Sequence, residues 1–428
     1  LCPLDEGATF NMELTADTAA SIRARLEEHH SADGGFTRWR LHIDPWLHWL
    51  AHRSDAWIFQ DMDVLDITEA VFADYLAGNP SSGALQPAWR IDVADRSALP
   101  RRSLCTQFHE TDLAFLSRLW AEEGLFAWFE HSTDDTGQGS HTLVIADHAQ
   151  AFAPNAQAHV RYTQAGATLK EDSLMHWGGV RRLGPTALHT ASWDHRQVRN
   201  HSASREVDAA HGQADALARS LTLTDQPGAY AHANTAHAER HARLRLEALE
   251  AERKQFEGAG TVRTLAPGTT FRLHDHPEHS GMADDDEFVV LRVTHTARNN
   301  LAADPTASPR GALGTLQGPL LNAHPSPPER HGNHSDEPLY QGHVLAQRLR
   351  VPVRLRHTAA KPTAHGQQTA IVVGLEGPIH TDRDGRIKVQ FHWQRGRQGS
   401  HRLAHPSAQG CNAPASDASG TWVRVLQD

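Results

Sequence analysis

The chain has 428 residues, room for about two to four domains of ordinary size, each with its own core. Hydrophobic residues make up 39% and charged residues 21%, a globular composition, and no stretch approaches the ~18 consecutive apolar residues of a membrane-spanning helix. A formal net charge of -10 argues against nucleic acid as a partner, since that binding is driven by Lys and Arg neutralising phosphates. Cys2, Cys105 and Cys411 are far apart and form neither CxxC nor a zinc spacing, which fits folding in a reducing cytoplasm. The opening LCPLDEG carries no Met, no basic region and no apolar run, so either no secretory signal exists or the natural start lies upstream. The 32 histidines would make the chain far more positive in an acidic compartment, but they are scattered and do not read as one switch.

Residues 21–43 read as a hairpin, with Ile22, Ala24 and Leu26 alternating with arginines, a turn at Ser31–Gly35, and alternation again in FTRWRLHI. A helical reading of RARLEEHH is also open. Residues 63–76 form an amphipathic helix with Val64, Ile67, Val71 and Phe72 on one side, Asp63 as cap, and Gly78 and Pro80 as stop. Residues 111–123 form a second helix, capped by Thr111, striped by Leu113, Leu116 and Trp120, and closed by Gly124 at C′. LFAWFEH and HTLVIAD make a hairpin after it. The longest helix covers 235–256, with Ala242, Leu246, Leu249 and Arg253 on the buried side and Gly258 and Gly260 ending it. PGTTFRLHDHP and DEFVVLRVTHTAR are strand-like. Residues 301–340 are punctuated by prolines and read as a linker or long loop. TAIVVGLEG and RIKVQFHW follow as strands joined through Asp384-Gly385, then a loose Ser400–Gly420 and a final strand, TWVRVL. The fold class is therefore mainly β with inserted helices, as small β-barrels decorated by helices rather than a doubly wound sheet. No internal repeat is visible.

Catalytic signatures are absent: no GxxxxGK[ST], no GxGxxG after a strand, no HExxH and no GxSxG. His274, Asp275, His276 and His279 in HDHPEH are the nearest approach to a metal-ligand cluster, weighed against a polar loop in a His-rich chain. Asp284, Asp285 and Asp286 lack the alternate oxygens and downstream Glu of a calcium loop, Glu287 being adjacent. Cys105 in SLCTQFH reads as a small core residue. Glu122 with Glu123, and Glu247 with Glu250, read as helix-surface carboxylates paired with arginines rather than a glycosidase pair. Trp39, Trp46, Trp49 and Trp57 could stack a sugar or a base, but core or interface packing is the stronger account. No catalytic, cofactor-binding or metal residue is assigned, and no cofactor.

Two stretches carry a resemblance: CTQFHETDLAFLSRLWAEEGLFAWFEH (Cys105–His131) and HGQQTAIVVGLEGPIHTDRDGRIKVQFHW (His365–Trp393). Both resemble the VgrG family, the spike proteins of type VI secretion systems. Weaker similarity runs through GGFTRWRLHIDPWLHWL, WIFQDMDVLDITEAVFADY and LAPGTTFRLHDHP, so most of 20–300 and 340–428 is covered. The resemblance implies two related hub barrels in 1–300, the first truncated at its N-terminus, a linker at 301–340, and the start of an OB-type barrel in 341–428 with the needle absent. It further implies a homotrimer seated on the hexameric Hcp tube, baseplate components, a PAAR-type tip protein and effector proteins as partners. Assembly in the cytoplasm and injection into a target cell follow, with no enzymatic activity. A three-fold hub meets a six-fold tube only if each subunit presents two similar faces, which is a physical reason to expect paired barrels. The alternatives are a hub of a phage or phage-derived contractile tail, and a metal-dependent effector using the His-rich loops.

Overall fold

The computed structural model describes residues 8–13, 25–29, 38–77, 87–133, 139–164, 171–194, 196–207, 221–279, 286–297, 340–356, 362–372, 381–394 and 420–425. The expected turn at Ser31–Gly35, nearly all of the proline-rich 301–340 and of Ser400–Gly420, and Cys2, Cys411, Asp284 and Asp285 lie outside the described residues.

The mainly β class with inserted helices is borne out. At the N-terminal end Arg38–Ile43 pairs antiparallel with Arg25–His29, the expected hairpin partner, and on its other edge with Ala8–Glu13. Next come a 3-10 turn, Trp46–Ala51, and helix α1, Val64–Ala77. The Asp63 carboxylate caps α1, accepting from the backbone N–H of Leu65 and of Asp66 at 2.9 Å each. Helix α2, Asp112–Glu123, begins at Thr111, whose hydroxyl accepts from Ala114 N at 3.2 Å. It ends at Gly124, which takes φ 75°, a left-handed conformation open to glycine at little cost.

The hairpin Phe126–Thr133 and Gly139–Ala146 gains a third, parallel strand, Trp89–Asp92. Alternation along this sheet sorts its side chains onto two buried faces. Ala127, Leu143 and Ile145 face α1 and α2, in a core with Trp46, Leu47, Phe72, Phe115 and Trp120. Phe126, Trp128, Val144 and Ala146 face the other way, against Val289, Leu291 and Val353. Val289 and Leu291 lie on the outside of a barrel whose inside is filled by Phe288 and Val290 of the same strand. The sheet is thus the middle layer between the helices and the barrel.

The barrel is closed and six-stranded. Around its wall run Ala153–Tyr162, Ser173–Arg181, Lys254–Gly260, Tyr340–Arg348, Glu287–Ala297 and Thr269–His274. Trp177 stacks on Phe256 (5.6 Å between centroids, 11°) and meets Phe288 edge-on (4.8 Å, 75°), filling the interior. Gly258 is required by this packing, because a Cβ there would stand 2.7 Å from the Trp177 ring. Between Ser173–Arg181 and Lys254–Gly260 the chain leaves the barrel to form a three-stranded sheet, Ala187–Asp194, Arg199–Glu206 and Thr222–Asp225, and helix α3, Thr235–Arg253.

Two boundaries move. Lys254 is already extended, so the strand Lys254–Gly260 begins where the long helix was expected to continue to 256. Tyr340–Arg348, which the sequence assigns to the linker's end and the third unit, pairs with Lys254–Gly260 and Glu287–Ala297 and completes the barrel. The buried side of α3 also differs: Ala238, Ala242, Leu244, Leu246, Ala248 and Ala251 are buried, while Leu249 and Arg253 are not fully so. At the C-terminal end Ala370–Val372, Ile387–Phe391 and Thr421–Val423 form a three-stranded antiparallel sheet. No helix among the described residues is long and apolar enough to cross a membrane.

Candidate functional site

The two stretches that carry the resemblance meet in space. Phe108, just before α2, packs edge-on against Trp393 at the end of the second stretch, with 4.9 Å between centroids. Trp393 stacks in turn on Phe391 (4.9 Å, 8°), and Ala56 and Ile58 complete this small core. Ile58–Phe59 pairs antiparallel with Cys105–Thr106, so backbone pairing holds the Phe108 segment against the chain before α1.

Above this contact α2 is fixed by arginines. Asp112 is fully buried and accepts from Arg53 Nε (2.6 Å), Tyr75 Oη (2.8 Å) and Gln107 Nε2 (2.6 Å). Burial, together with the charge of Asp112, pushes the Tyr75 phenol well above its usual range, so it stays a donor. Arg53 also reaches Asp74 at 2.7 Å, tying α1 to α2. At the other end of α2, Arg102 donates to Glu122 (2.8 Å) and Glu123 (2.7 Å), while Arg118 donates to Glu110 (2.6 Å). Glu123 is bonded as well by Arg240 of α3. Arg354, beyond the last barrel strand, donates to Glu247 of α3 (2.8 Å) and to the Asp147 carbonyl (2.8 Å). The ring of charges clamps α2, α3, the middle sheet and the barrel to one another. Its buried members, Asp112, Arg118 and Glu123, are costly to deprive of a partner.

The side chains weighed for chemistry fall into this scaffold. Glu122, Glu123 and Glu247 are ion-pair partners of arginines as expected, but Glu123 is buried rather than on the helix surface, because Arg102 and Arg240 both engage it. Cys105 is buried, and burial pushes its thiol upward, away from nucleophilic character. The HDHPEH histidines point to different neighbours: His274 Nε2 lies 2.7 Å from His159 Nδ1, while His276 and His279 stack on each other at 4.8 Å. His276 also meets Tyr162 edge-on, His279 meets Phe256, and Asp275 is taken by Arg161 at 2.8 Å. No group of three or more His, Cys, Asp or Glu among the described residues could hold a metal ion. Of the tryptophans, Trp46 is core, edge-on to Phe72 at 5.0 Å, Trp57 stands 4.6 Å from Phe59, Trp49 is exposed, and Trp39 lies on the strand Arg38–Ile43. Sequence reasoning missed Arg53, Arg102, Arg240 and Arg354, whose partners lie far along the chain. The one available signal was that arginines greatly outnumber lysines in a chain rich in carboxylates.

Residues 4–301 match the family described as the phage tail baseplate hub (GPD). The chain belongs to that family. This hub chain is also 29% identical over 423 residues to the type VI secretion system spike protein VgrG5 of Pseudomonas aeruginosa, covering 97% of the chain and 46% of that protein. It is 27% identical over 401 residues to VgrG1b of the same organism (93% and 45%), and 24% identical over 430 residues to VgrG3 of Vibrio cholerae (99% and 36%). The hub chain spans about half of these curated relatives or less. Its fold is similar to that of the E. coli c3393 protein, described as a type VI secretion component with structural similarity to T4 tail proteins gp27 and gp5. That likeness has a TM-score of 0.54 at 16% identity, covering 100% of this chain and 83% of the other. The resemblance to the VgrG family read from the two stretches is thereby borne out.

Proposed function

We propose that the chain is the hub of a type VI spike: three copies form a ring that caps the Hcp tube, and the spike carries a PAAR-type tip protein and effectors. The reading rests on similarity to type VI spike proteins across 93% and 97% of the chain. Baseplate components are the further partners, assembly takes place in the cytoplasm, and sheath contraction injects the spike. The role is mechanical rather than enzymatic, and the clamped arginine–carboxylate scaffold supports it. The closed barrel is one of the two hub barrels, the region from Ala8 through α2 and the middle sheet belongs with the other, and the sheet of Ala370–Val372, Ile387–Phe391 and Thr421–Val423 begins the OB-type barrel. The hub then ends after Arg348 rather than at 300.

Light scattering after size exclusion tests the assembly. A mass of about three 47.2 kDa subunits supports the ring, and a clean dimer opposes it. For the whole protein, deletion of its gene abolishes Hcp release; unchanged release without a second copy to replace it rules the reading out. The phage tail hub is a second reading, favoured by the description of the matching family. Neighbouring tail and capsid genes, in place of secretion-system genes, would select it.

A further inference from the structure

Among the described residues, three histidines meet where α3 packs on the three-stranded sheet inserted in the barrel. His232 is 2% exposed there. Its ring lies 5.6 Å from that of His237 and 5.1 Å from that of His241, one turn apart on α3. Its Nε2 shares a hydrogen bond with Thr190 Oγ1 of the sheet at 2.9 Å, and its Nδ1 is buried without a partner among the described residues. The segment carrying it is pinned to the same strand. Ser192 Oγ donates to the Gly228 carbonyl at 2.7 Å and accepts from Ala231 N at 2.9 Å. His232 is therefore wedged between two elements, and its described hydrogen bond goes to a hydroxyl rather than to a carboxylate.

The surrounding charges favour a neutral ring. From the sheet, Asp225 is the carboxylate that faces the cluster, and it is engaged by His241 Nε2 at 2.9 Å and by Arg245 at 3.8 Å. From α3 come His237, His241 and Arg240, the last paired with Glu123. His201 and Asp194, on the same sheet, are 3.6 Å from each other. A proton on His232 would be a charge shut away from water, between the sheet and the rings of His237 and His241.

We propose that His232, held between Thr190 of the sheet and His237 and His241 of α3, is an acid-sensitive latch that docks the inserted sheet on α3 at neutral pH and releases it on acidification. The sheet is suited to separate release, because its own core with α3 is small (Leu188, Ala242, Leu246) and distinct from the barrel core. Burial, then His241 and His237, lower His232 from 6.5 to about 4. The sign follows: the docked state keeps His232 neutral where an undocked ring is protonated. Docking is at full strength above about pH 6.5, and weakens as pH falls from 6.5 towards 4.

Hydrogen exchange by mass spectrometry on the full chain, from pH 7 to pH 4.5 and corrected for intrinsic rates, tests this. Peptides of Ala187–Asp194 and Arg199–Glu206 should lose protection by up to about tenfold per pH unit below 6.5, as one-proton linkage requires, while Lys254–Gly260 and Glu287–Ala297 hold theirs. His232→Gln, which keeps a polar group but cannot become charged, should abolish the acid response. His48→Gln, on the distant 3-10 turn, should preserve it. Protection unchanged in the wild type down to pH 4.5, equal loss in the barrel, or a response retained in His232→Gln would each overturn the latch. The first two need no variant to fold.

Discussion

The ring of Phe108 meets the indole of Trp393 edge-on, 4.9 Å between centroids and 77° between planes. The contact joins the segment before α2 to the C-terminal sheet, and hydrophobic core residues Ala56 and Ile58 back it. A double-mutant cycle on Phe108→Ala and Trp393→Ala, followed by urea unfolding, should give a coupling of about 0.5–1.5 kcal/mol. Additive losses would mean that the two residues act independently.

Asp112 gathers three donors in a buried site, so its removal takes the acceptor from Tyr75 Oη and leaves Arg53 with Asp74 as its ion-pair partner. Asp112→Ala should destabilise the chain by about 1–3 kcal/mol, the cost of leaving buried donors without their acceptor. Arg90→Ala should cost no more than about 1 kcal/mol, since the Arg90–Glu130 pair is half exposed (50% and 37%). Denaturant midpoints of the two variants decide between burial and mere pairing as the source of stability.

Gly258 is the register partner of Trp177, and Gly178, the next residue along Ser173–Arg181, is the partner of Glu257, yet the surroundings of the two glycines differ. A Cβ on Gly258 would press on Trp177 at 2.7 Å and on Val344 at 3.0 Å, whereas one on Gly178 meets nothing within 4 Å. Gly258→Ala should cost about 1–3 kcal/mol through overpacking, and Gly178→Ala should be neutral or slightly stabilising. Thermal unfolding of the pair checks the contrast.

Cys105 is buried, with its thiol pushed upward by that burial despite Arg102 and Arg118 nearby. With Cys2 and Cys411 replaced by Ser, labelling of Cys105 by a thiol reagent at pH 8 should be on the order of a hundredfold slower in the native chain than in denaturant. Fast native labelling would show that the region below α2 opens readily.

Local signals carried much of the fold. Asp63, Thr111 and Gly124 act at the helix ends where their chemistry placed them, because caps depend on neighbours a few residues away. The stripes Val64, Ile67, Val71 and Leu113, Leu116, Trp120 are buried for the same reason. Ala153–Tyr162, Ser173–Arg181 and the inserted hairpin escaped notice, since their strands mix polar and small residues without clean alternation. The arginine clamp was equally illegible. Arg53 and Asp112, or Arg240 and Glu123, are paired by topology, and nothing local to either residue announces its partner. Cys105 is buried as its strand setting suggested, whereas Glu123, expected on a helix surface, is buried between Arg102 and Arg240.

The last strand to complete the barrel is also the last to be synthesised. Until Arg348 leaves the ribosome, Lys254–Gly260 and Glu287–Ala297 each present a bare edge where Tyr340–Arg348 will sit. At ordinary elongation rates that interval lasts ~3–10 s. During it the nascent chain offers two templates for pairing with a neighbouring chain on the same messenger, and so invites chaperone cover or crowded misassembly. The tie between one late strand and two early ones makes the timing of translation part of how this chain reaches its native state.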